Sequence, residues 1–213
     1  MSNGTFDFNV FIKESKDVLV NPRSYFSTMK TTGGIAEPLI KALIYGAIAG
    51  VIAFLWSLLN IGAVTGGLFG GAIGIMVFVW SIVGAIIGLF IGGVIVLVLS
   101  AICKGSTDFE ANVRVTASLM VMMPIGKLLG FSDSLNLYLG VVIGLAVSIF
   151  TLWLLYNGLV EALKSKAETT KIITYVLIAI IVLFSLLGIK AKKAMNEFKN
   201  TDFQEMFKDL EKN

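Results

Sequence analysis

Between Ala42 and Cys103 the chain runs for 62 residues without an aspartate, glutamate, lysine, arginine or histidine. A helix needs about 20 apolar residues to cross the roughly 30 Å of hydrocarbon in a bilayer, so this run is too long for one crossing and suits two. A soluble domain of this size has a polar surface and does not contain so long an uncharged stretch. The sequence therefore predicts an integral membrane protein.

Charges and turn residues divide the chain into a predicted all-α bundle of five membrane-spanning helices, with four as the alternative. The third span is the least regular, because Arg114, Pro124 and Lys127 fall within it and only twelve residues separate the two cations. Both cations are near the ends of that helix, where long basic side chains can reach the interface. The predicted spans are residues 39–59, 72–102, 108–129, 135–160 and 172–189.

Both termini are predicted to hold amphipathic helices outside the bundle of residues 39–189. In segment 1–38, one helix ends before Pro22 and a second begins at it, because the residue before proline avoids helical conformation. The tail 190–213 repeats apolar residues at helical spacing in two halves, with a capping box at Thr201 between them. The N-terminal apolar stripe can pack on the protein or on lipid, and it consists of Phe8, Phe11, Ile12, Val18 and Leu19.

The number of spans decides on which side of the membrane the tail lies. Five spans place ten of the 17 Lys and Arg residues inside with a cytoplasmic N-terminus, whereas four spans place 14 inside. Basic residues favour the cytoplasmic side, so charge alone favours four spans. We expect five, because early helices dominate orientation and Lys41 precedes an uncharged first loop. The tail is then expected outside.

Glycines spaced four residues apart are the strongest internal pattern. This spacing flattens one face of a helix and lets two backbones approach closely in lipid, where hydrophobic burial gives no drive for association. Packing between spans of one chain is the favoured interpretation, and a homo-oligomer is the alternative. The glycines concerned are Gly46, Gly50, Gly66, Gly70, Gly74, Gly84, Gly88, Gly92, Gly140 and Gly144.

The residues that usually carry chemistry are scarce. The chain has no histidine, one cysteine and no paired carboxylates within a span, so we expect neither an enzyme nor a cofactor or metal site. Its net charge of +3 comes from lysines near the ends of apolar runs, which implies no nucleic-acid partner. Arg114, Pro124 and Lys127 are the polar group at membrane depth. Because the spans offer no acid to pair with them, we interpret both cations as anchors rather than as a gate.

Three short segments, in order, match the pattern of a known family. Val18-Leu19-Val20-Asn21-Pro22 is followed by Tyr25 and Phe26, then Lys104-Gly105, Phe109 and Pro124 occupy a central segment, and Ser165, Lys166 and Ala167 precede the last span. Residues 17–189 thereby resemble the Yip-one domain family, integral membrane proteins known in eukaryotes as Rab-GTPase-interacting proteins.

The resemblance implies five spans with a cytoplasmic N-terminal segment. The chain differs from eukaryotic members in lacking their long N-terminal region and in adding a charged tail of 24 residues. It therefore looks like the compact prokaryotic type, a multi-pass protein of the cell membrane.

Two classes of function remain. The favoured one is a non-enzymatic membrane-organising or protein-interaction scaffold, with membrane lipids and a membrane or cytoplasmic protein as partners. The alternative is a small channel or transporter, with a path lined by the glycine-rich helices and the Pro124 helix. Transporters usually place ionisable groups at the bilayer midplane. The centres of the first, second, fourth and fifth spans have none, which favours the scaffold.

Overall fold

The computed structural model describes residues 7–59 and 70–210, with side-chain surroundings for residues 7–59 and 74–189. The described part is helical and contains no strand. A π-helical turn, Gly158–Ala162, follows α8. The α-helices are α1 Phe8–Val20, α2 Pro22–Thr28, α3 Ala36–Leu58, α4 Gly70–Ile102, α5 Phe109–Leu119, α6 Met122–Leu129, α7 Ser132–Leu135, α8 Leu137–Asn157 and α9 Ala167–Leu210.

Five helical stretches in the described part are long and apolar enough to cross a membrane, so the predicted helical bundle is confirmed. The third of them combines α5, α6 and α7, which contain too few residues to cross singly. The stretches are Ala36–Leu58, Gly74–Ile102, Phe109–Leu135, Leu137–Ala162 and Ala167–Ile189. The chain is thus a multi-pass integral membrane protein.

The two N-terminal helices form as the sequence predicts. Asn21 follows the end of α1 and caps α2, because its side-chain oxygen accepts a hydrogen bond from the Ser24 backbone N–H. The apolar stripe of α1 divides between two environments. Phe11 and Val18 are buried in the core, whereas Phe8 and Ile12 are exposed.

The third span is broken, whereas the sequence predicts one helix over 108–129. Helix α5 ends at Leu119 and α6 begins at Met122, two residues before Pro124. Proline has no N–H and its ring collides with the carbonyl four residues earlier, which here belongs to Met120. In the first turn of α6 the missing N–H costs nothing, because N–H groups there have no partner within the helix. The break therefore places Pro124 where a helix tolerates proline.

Helix α9 continues from the last span into the tail without interruption. The predicted capping box at Thr201 is wrong, because Thr201 lies inside a helix of 44 residues. No proline or glycine occurs between Lys190 and Leu210, so the sequence contains no residue that breaks the helix there. At 1.5 Å per residue α9 is about 66 Å long, roughly twice the hydrocarbon thickness.

One end of the bundle collects both surface helices and two connecting loops. We call this end the near side, and it consists of α1, α2, residues 103–108 and residues 163–166. The opposite end, formed by α6 and α7, is the far side, where the Trp56 indole N–H donates to the Lys127 carbonyl at 2.9 Å. The most completely buried helix is α5, which starts at the near side with Ala111 through Ser118 all buried.

Candidate functional site

A charged cleft lies at the near side between the two surface helices and the first turns of α3 and α5. Its volume is about 780 Å³. Acidic and basic side chains line it together with aromatic and apolar ones, so it is suited to a ligand of mixed character. Those used below are Phe11, Lys13, Glu14, Asp17, Tyr25, Lys30, Gly33, Glu37, Lys41, Arg114 and Ser118.

Two buried cations form the base of an ion-pair network in this cleft. The Lys41 ammonium lies 2.7 Å from a carboxylate oxygen of Glu14 and 2.8 Å from Glu37 Oε1. The Arg114 guanidinium lies 3.0 Å from Glu37 Oε2 and 3.1 Å from Glu110 Oε1. Glu37 therefore joins the two cations, one through each oxygen. The network ties the surface helix α1 to the spans α3 and α5.

A glycine turn completes the surroundings of Arg114. The Gly34 carbonyl accepts a hydrogen bond from Arg114 Nη2 at 2.9 Å, and the Gly34 N–H donates to Glu110 at 2.6 Å. Gly33 and Gly34 have φ of 126° and 89°, a backbone region that side chains with a Cβ rarely adopt. A Cβ built at Gly33 would lie 3.0 Å from the guanidinium. Both positions therefore require glycine for the turn to reach Arg114.

Two hydrogen bonds between hydroxyl groups join further helices beside the ion-pair network. The Tyr25 and Ser118 oxygens are 2.9 Å apart, and the Ser15 and Tyr45 oxygens are 2.7 Å apart. Burial raises the pKa of the Tyr25 phenol above its ordinary value of 10.0, so this hydroxyl keeps its proton. These contacts fasten α2 to α5 and α1 to α3.

The structure corrects the sequence-based interpretation of Arg114 as an anchor without an acidic partner. Its side chain is 6% exposed and has Glu37 and Glu110 as partners. These two acids lie in the first turns of α3 and α5, beside the apolar runs rather than within them, so a search of the spans for acidic partners does not include them. The pairs Glu37–Lys41 and Glu110–Arg114 are each four residues apart, a spacing that places two side chains on one helix face. The four-residue spacing thus identifies two of the four ion pairs in the cleft network from the sequence.

Lys127 and Pro124, which the sequence analysis groups with Arg114, lie away from the cleft. Lys127 is exposed at the far side and contributes its backbone carbonyl to Trp56, while Pro124 is partly buried in the first turn of α6. The structure therefore separates Arg114 from Lys127 rather than grouping them.

A second polar cluster joins the two near-side loops. The Ser106 N–H donates to the Leu163 carbonyl at 2.8 Å, and the Lys166 N–H donates to the Cys103 carbonyl at 2.9 Å. Gly105 lies between them, and a Cβ built there would collide with Ser165 Oγ and lie 2.9 Å from the Leu163 carbonyl oxygen. The loops therefore pair closely only because residue 105 has no side chain.

Most of the residues that carry the family resemblance lie at the near side. Pro22 and Phe26 are buried in α2, with Phe26 next to Gly158. Ser165 is buried in the paired loops, Lys166 donates its N–H to Cys103, and Ala167 begins α9. Phe109, in contrast, is 37% exposed at the start of α5.

The predicted packing glycines fall into two groups. Gly46 and Gly50 face α4, Gly74 faces Phe54, Gly92 faces Thr116, and Gly140 faces Asp133. A Cβ at Gly46 would lie 2.6 Å from that of Ala85, so α3 and α4 approach each other at the backbone. Gly66 lies outside the described residues, and Gly70 begins α4 without described surroundings.

Three of these glycines face open space within the described part of the chain, where the within-chain interpretation expects a packed helix face. A Cβ built at Gly84, Gly88 or Gly144 has nothing within 4 Å. The buried stripe of α4 contains Ala85, Leu89 and Val96. Gly84 and Gly88 each precede a residue of that stripe. Successive residues of a helix are rotated by about 100°, so these two glycines face away from the buried stripe.

Comparison with known proteins gives one result for this chain. Residues 16–189, most of the sequence, match the model of the Yip1 domain. Neither the curated proteins nor the solved structures give a match. The match includes the last turn of α1, the whole of α2, the paired loops and all five apolar stretches described above. The chain therefore belongs to the Yip1 domain family.

Proposed function

We propose that this protein is a non-enzymatic interaction scaffold of a prokaryotic cell membrane, and that its near-side cleft binds a segment of a partner protein. The observation that carries the proposal is the mutual pairing of Glu37, Lys41 and Arg114 at the cleft. Their positions are set by one another, so the cleft is organised before a partner arrives. Pre-organisation lowers the entropic cost of binding.

The rim of the cleft supports recognition of a protein segment. Lys13 and Lys30 are exposed at the cleft, and the partly exposed Asp17 adds the opposite charge. Charges of both signs around a fixed site select partners by complementarity and repel others. Phe11 and Tyr25 supply apolar lining next to these charges, as protein interfaces commonly do.

The positions of the packed glycines and of the ion pairs favour a scaffold over a channel or transporter. Gly46, Gly50 and Gly74 are occupied by contacts between α3 and α4, so these faces fill the bundle instead of lining a path. The ion pairs lie at helix starts on the near side, whereas transport sites are usually near the bilayer midplane. The absence of histidine in the sequence and the burial of Cys103 support a role without catalysis.

Photo-crosslinking in native membranes tests the proposal. A photoreactive amino acid replaces Lys13 or Lys30 at the cleft, and a matched control replaces Ser134 at the far side. All three positions are exposed, so each variant is expected to fold.

The cleft positions should give a discrete protein adduct that the control does not give. Adding Glu37→Gln to the Lys13 variant should weaken this adduct. Equal adducts at all three positions, or none at the cleft, would contradict the scaffold. Solute flux through liposomes that contain the purified protein would favour the transporter.

A further inference from the structure

A groove between α8 and α9 lies apart from the cleft and plays no part in the proposed protein interaction. Its volume is about 740 Å³, and apolar and aromatic side chains form nearly all of its lining. Along α8 it extends from Tyr156 near the near-side end to Ala146 towards the middle of the span. Ten residues of helix cover about 15 Å, which equals half of the roughly 30 Å hydrocarbon thickness. The groove therefore has the depth of one lipid leaflet.

The near-side end of the groove is chemically different from its interior. Lys171 lies there on the second turn of α9, and its ammonium is 6.0 Å from the centre of the Tyr175 ring. In the described part of the chain Lys171 forms no ion pair. Glu168, one turn earlier, does not line the groove. Trp153, Tyr156 and Tyr175 add amphipathic rings of the kind enriched at the membrane interface.

Helix α9 leaves this groove open to the membrane. The buried share of its most apolar stretch is 6%, compared with 44% for the third span. Lipid tails therefore reach the groove directly, and a basic pocket between spans is a recognised form of site for anionic head groups. Exposed Lys104, Lys164 and Lys166 add positive charge on the same side of the bundle.

We infer that this groove is a binding site for one anionic glycerophospholipid. Its acyl chain lies between α8 and α9, and its phosphate contacts Lys171. The bound lipid fills the space between the least buried span and its neighbour. This site is independent of the cleft, so either assignment can fail without the other.

Native mass spectrometry of the full chain in mild detergent tests the inference with two lipids that differ only in head group. The probes are phosphatidylglycerol and phosphatidylcholine with identical acyl chains. The parent protein should bind phosphatidylglycerol more tightly. Lys171→Gln should reduce that preference about fivefold, since one basic side chain contributes about 1 kcal/mol to binding of an anionic surface. Lys171→Arg should retain it.

Two further variants separate the head-group contact from the groove and from general charge. Ala146→Trp fills the inner end of the groove at an exposed position and should weaken both lipids. Lys127→Gln removes an exposed charge at the far side and should change neither. The inference is overturned by equal binding of the two lipids to the parent, by a preference that survives Lys171→Gln, or by unchanged binding to Ala146→Trp.

Discussion

Two regions of the molecule hold a membrane helix in different ways. One is the near-side layer, which we define as α5 together with the segments of α1–α4 and the paired loops around it; the other is the α8–α9 pair. In the near-side layer, α5 is buried along most of its length and is fixed by ion pairs, hydroxyl pairs and close glycine contacts. Helix α9 has 6% of its most apolar stretch buried and contacts mainly α8. Burial is greatest where the span is least apolar: the third span has a mean hydropathy of 1.4 and 44% of its apolar stretch buried, whereas the fifth has 2.9 and 6%. The spans with interior polar groups and small residues are those that the bundle encloses.

This difference has a physical cause. In lipid, hydrophobic burial does not drive helices together, so packing depends on close backbone approach and on polar contacts. Gly92 and Gly93 bring α4 against Thr116 and Val113 of α5, where a Cβ would lie 2.7 Å from either side chain. Gly188 in α9 has nothing within 4 Å of such a Cβ. The near-side layer is therefore expected to resist unfolding and to be sensitive to substitution.

The largest effect is expected at the ion pairs of Arg114. Arg114→Ala leaves Glu110 without its guanidinium partner and leaves Glu37 with Lys41 alone. Because the Glu37 and Glu110 side chains are 40% and 28% exposed, the loss should lie at the lower end of the about 3–5 kcal/mol that breaking a buried pair costs. The matched control is Arg23→Ala, because the Arg23 side chain is 81% exposed where it meets Glu161. An exposed pair contributes about 1 kcal/mol or less. The change in the free energy of unfolding in mixed micelles measures the effect of each variant. Equal losses for Arg114→Ala and Arg23→Ala would show that the two ion pairs contribute alike.

A second pair of variants compares glycines that have identical spacing and different surroundings. Gly46→Ile forces α3 from α4 and should destabilise the fold by about 1–3 kcal/mol or more, as overpacking does. Gly88→Ile meets open space within the chain and should be tolerated. Thermal unfolding of the two purified variants checks this.

The Gly88 variant also tests self-association. Loss of stability in Gly88→Ile together with loss of an oligomer in crosslinking would place this face between two copies of the chain. A monomeric parent that is destabilised by Gly88→Ile would contradict the placement of α4.

A smaller effect is expected where the near-side loops pair. Gly105→Ala introduces a Cβ against Ser165 and the Leu163 carbonyl, so the hydrogen bonds between the loops must lengthen. We expect a loss of about 1–2 kcal/mol, within the range for overpacking. Amide hydrogen exchange at Ser106 and Lys166 should rise in this variant. Unchanged exchange would show that the loops are not held by this pairing.

The smallest effect is expected in α9. Gly188→Ala adds a methyl group in open space within a helix, so helix propensity is the main change and stability should rise by at most about 1 kcal/mol. Gly93→Ala is the control in the near-side layer, where Val113 occupies the same space. If Gly188→Ala were the more destabilising of the two in thermal unfolding, the comparison between the regions would be reversed.

Hydropathy and proline positions predict five apolar stretches and the two N-terminal helices, but not the break between α5 and α6 in the third span. The sequence does not predict the burial of Arg114, because its partner Glu37 is 77 residues away and local sequence does not show which helix starts meet. Glycine spacing predicts flat helix faces but not the direction in which each face points, so it does not separate Gly84 and Gly88 from Gly92. The capping-box pattern at Thr201 predicts a break in the tail, whereas the absence of proline and glycine there is the signal that agrees with the continuous helix.

Topology tests the central claim most directly, since the near side exists only if each of the first four of the five spans crosses the membrane and so brings α1, α2 and both loops to one membrane face. Single cysteines are placed at the exposed positions Ser27, Lys166 and Ser134; native Cys103 is fully buried and is expected to stay unlabelled. A membrane-impermeant thiol reagent is applied to intact and to opened cells. The account predicts that Ser27→Cys and Lys166→Cys label from one side and Ser134→Cys from the other. Labelling of Ser134→Cys from the same side as Ser27→Cys would contradict the five-span bundle and its near-side cleft.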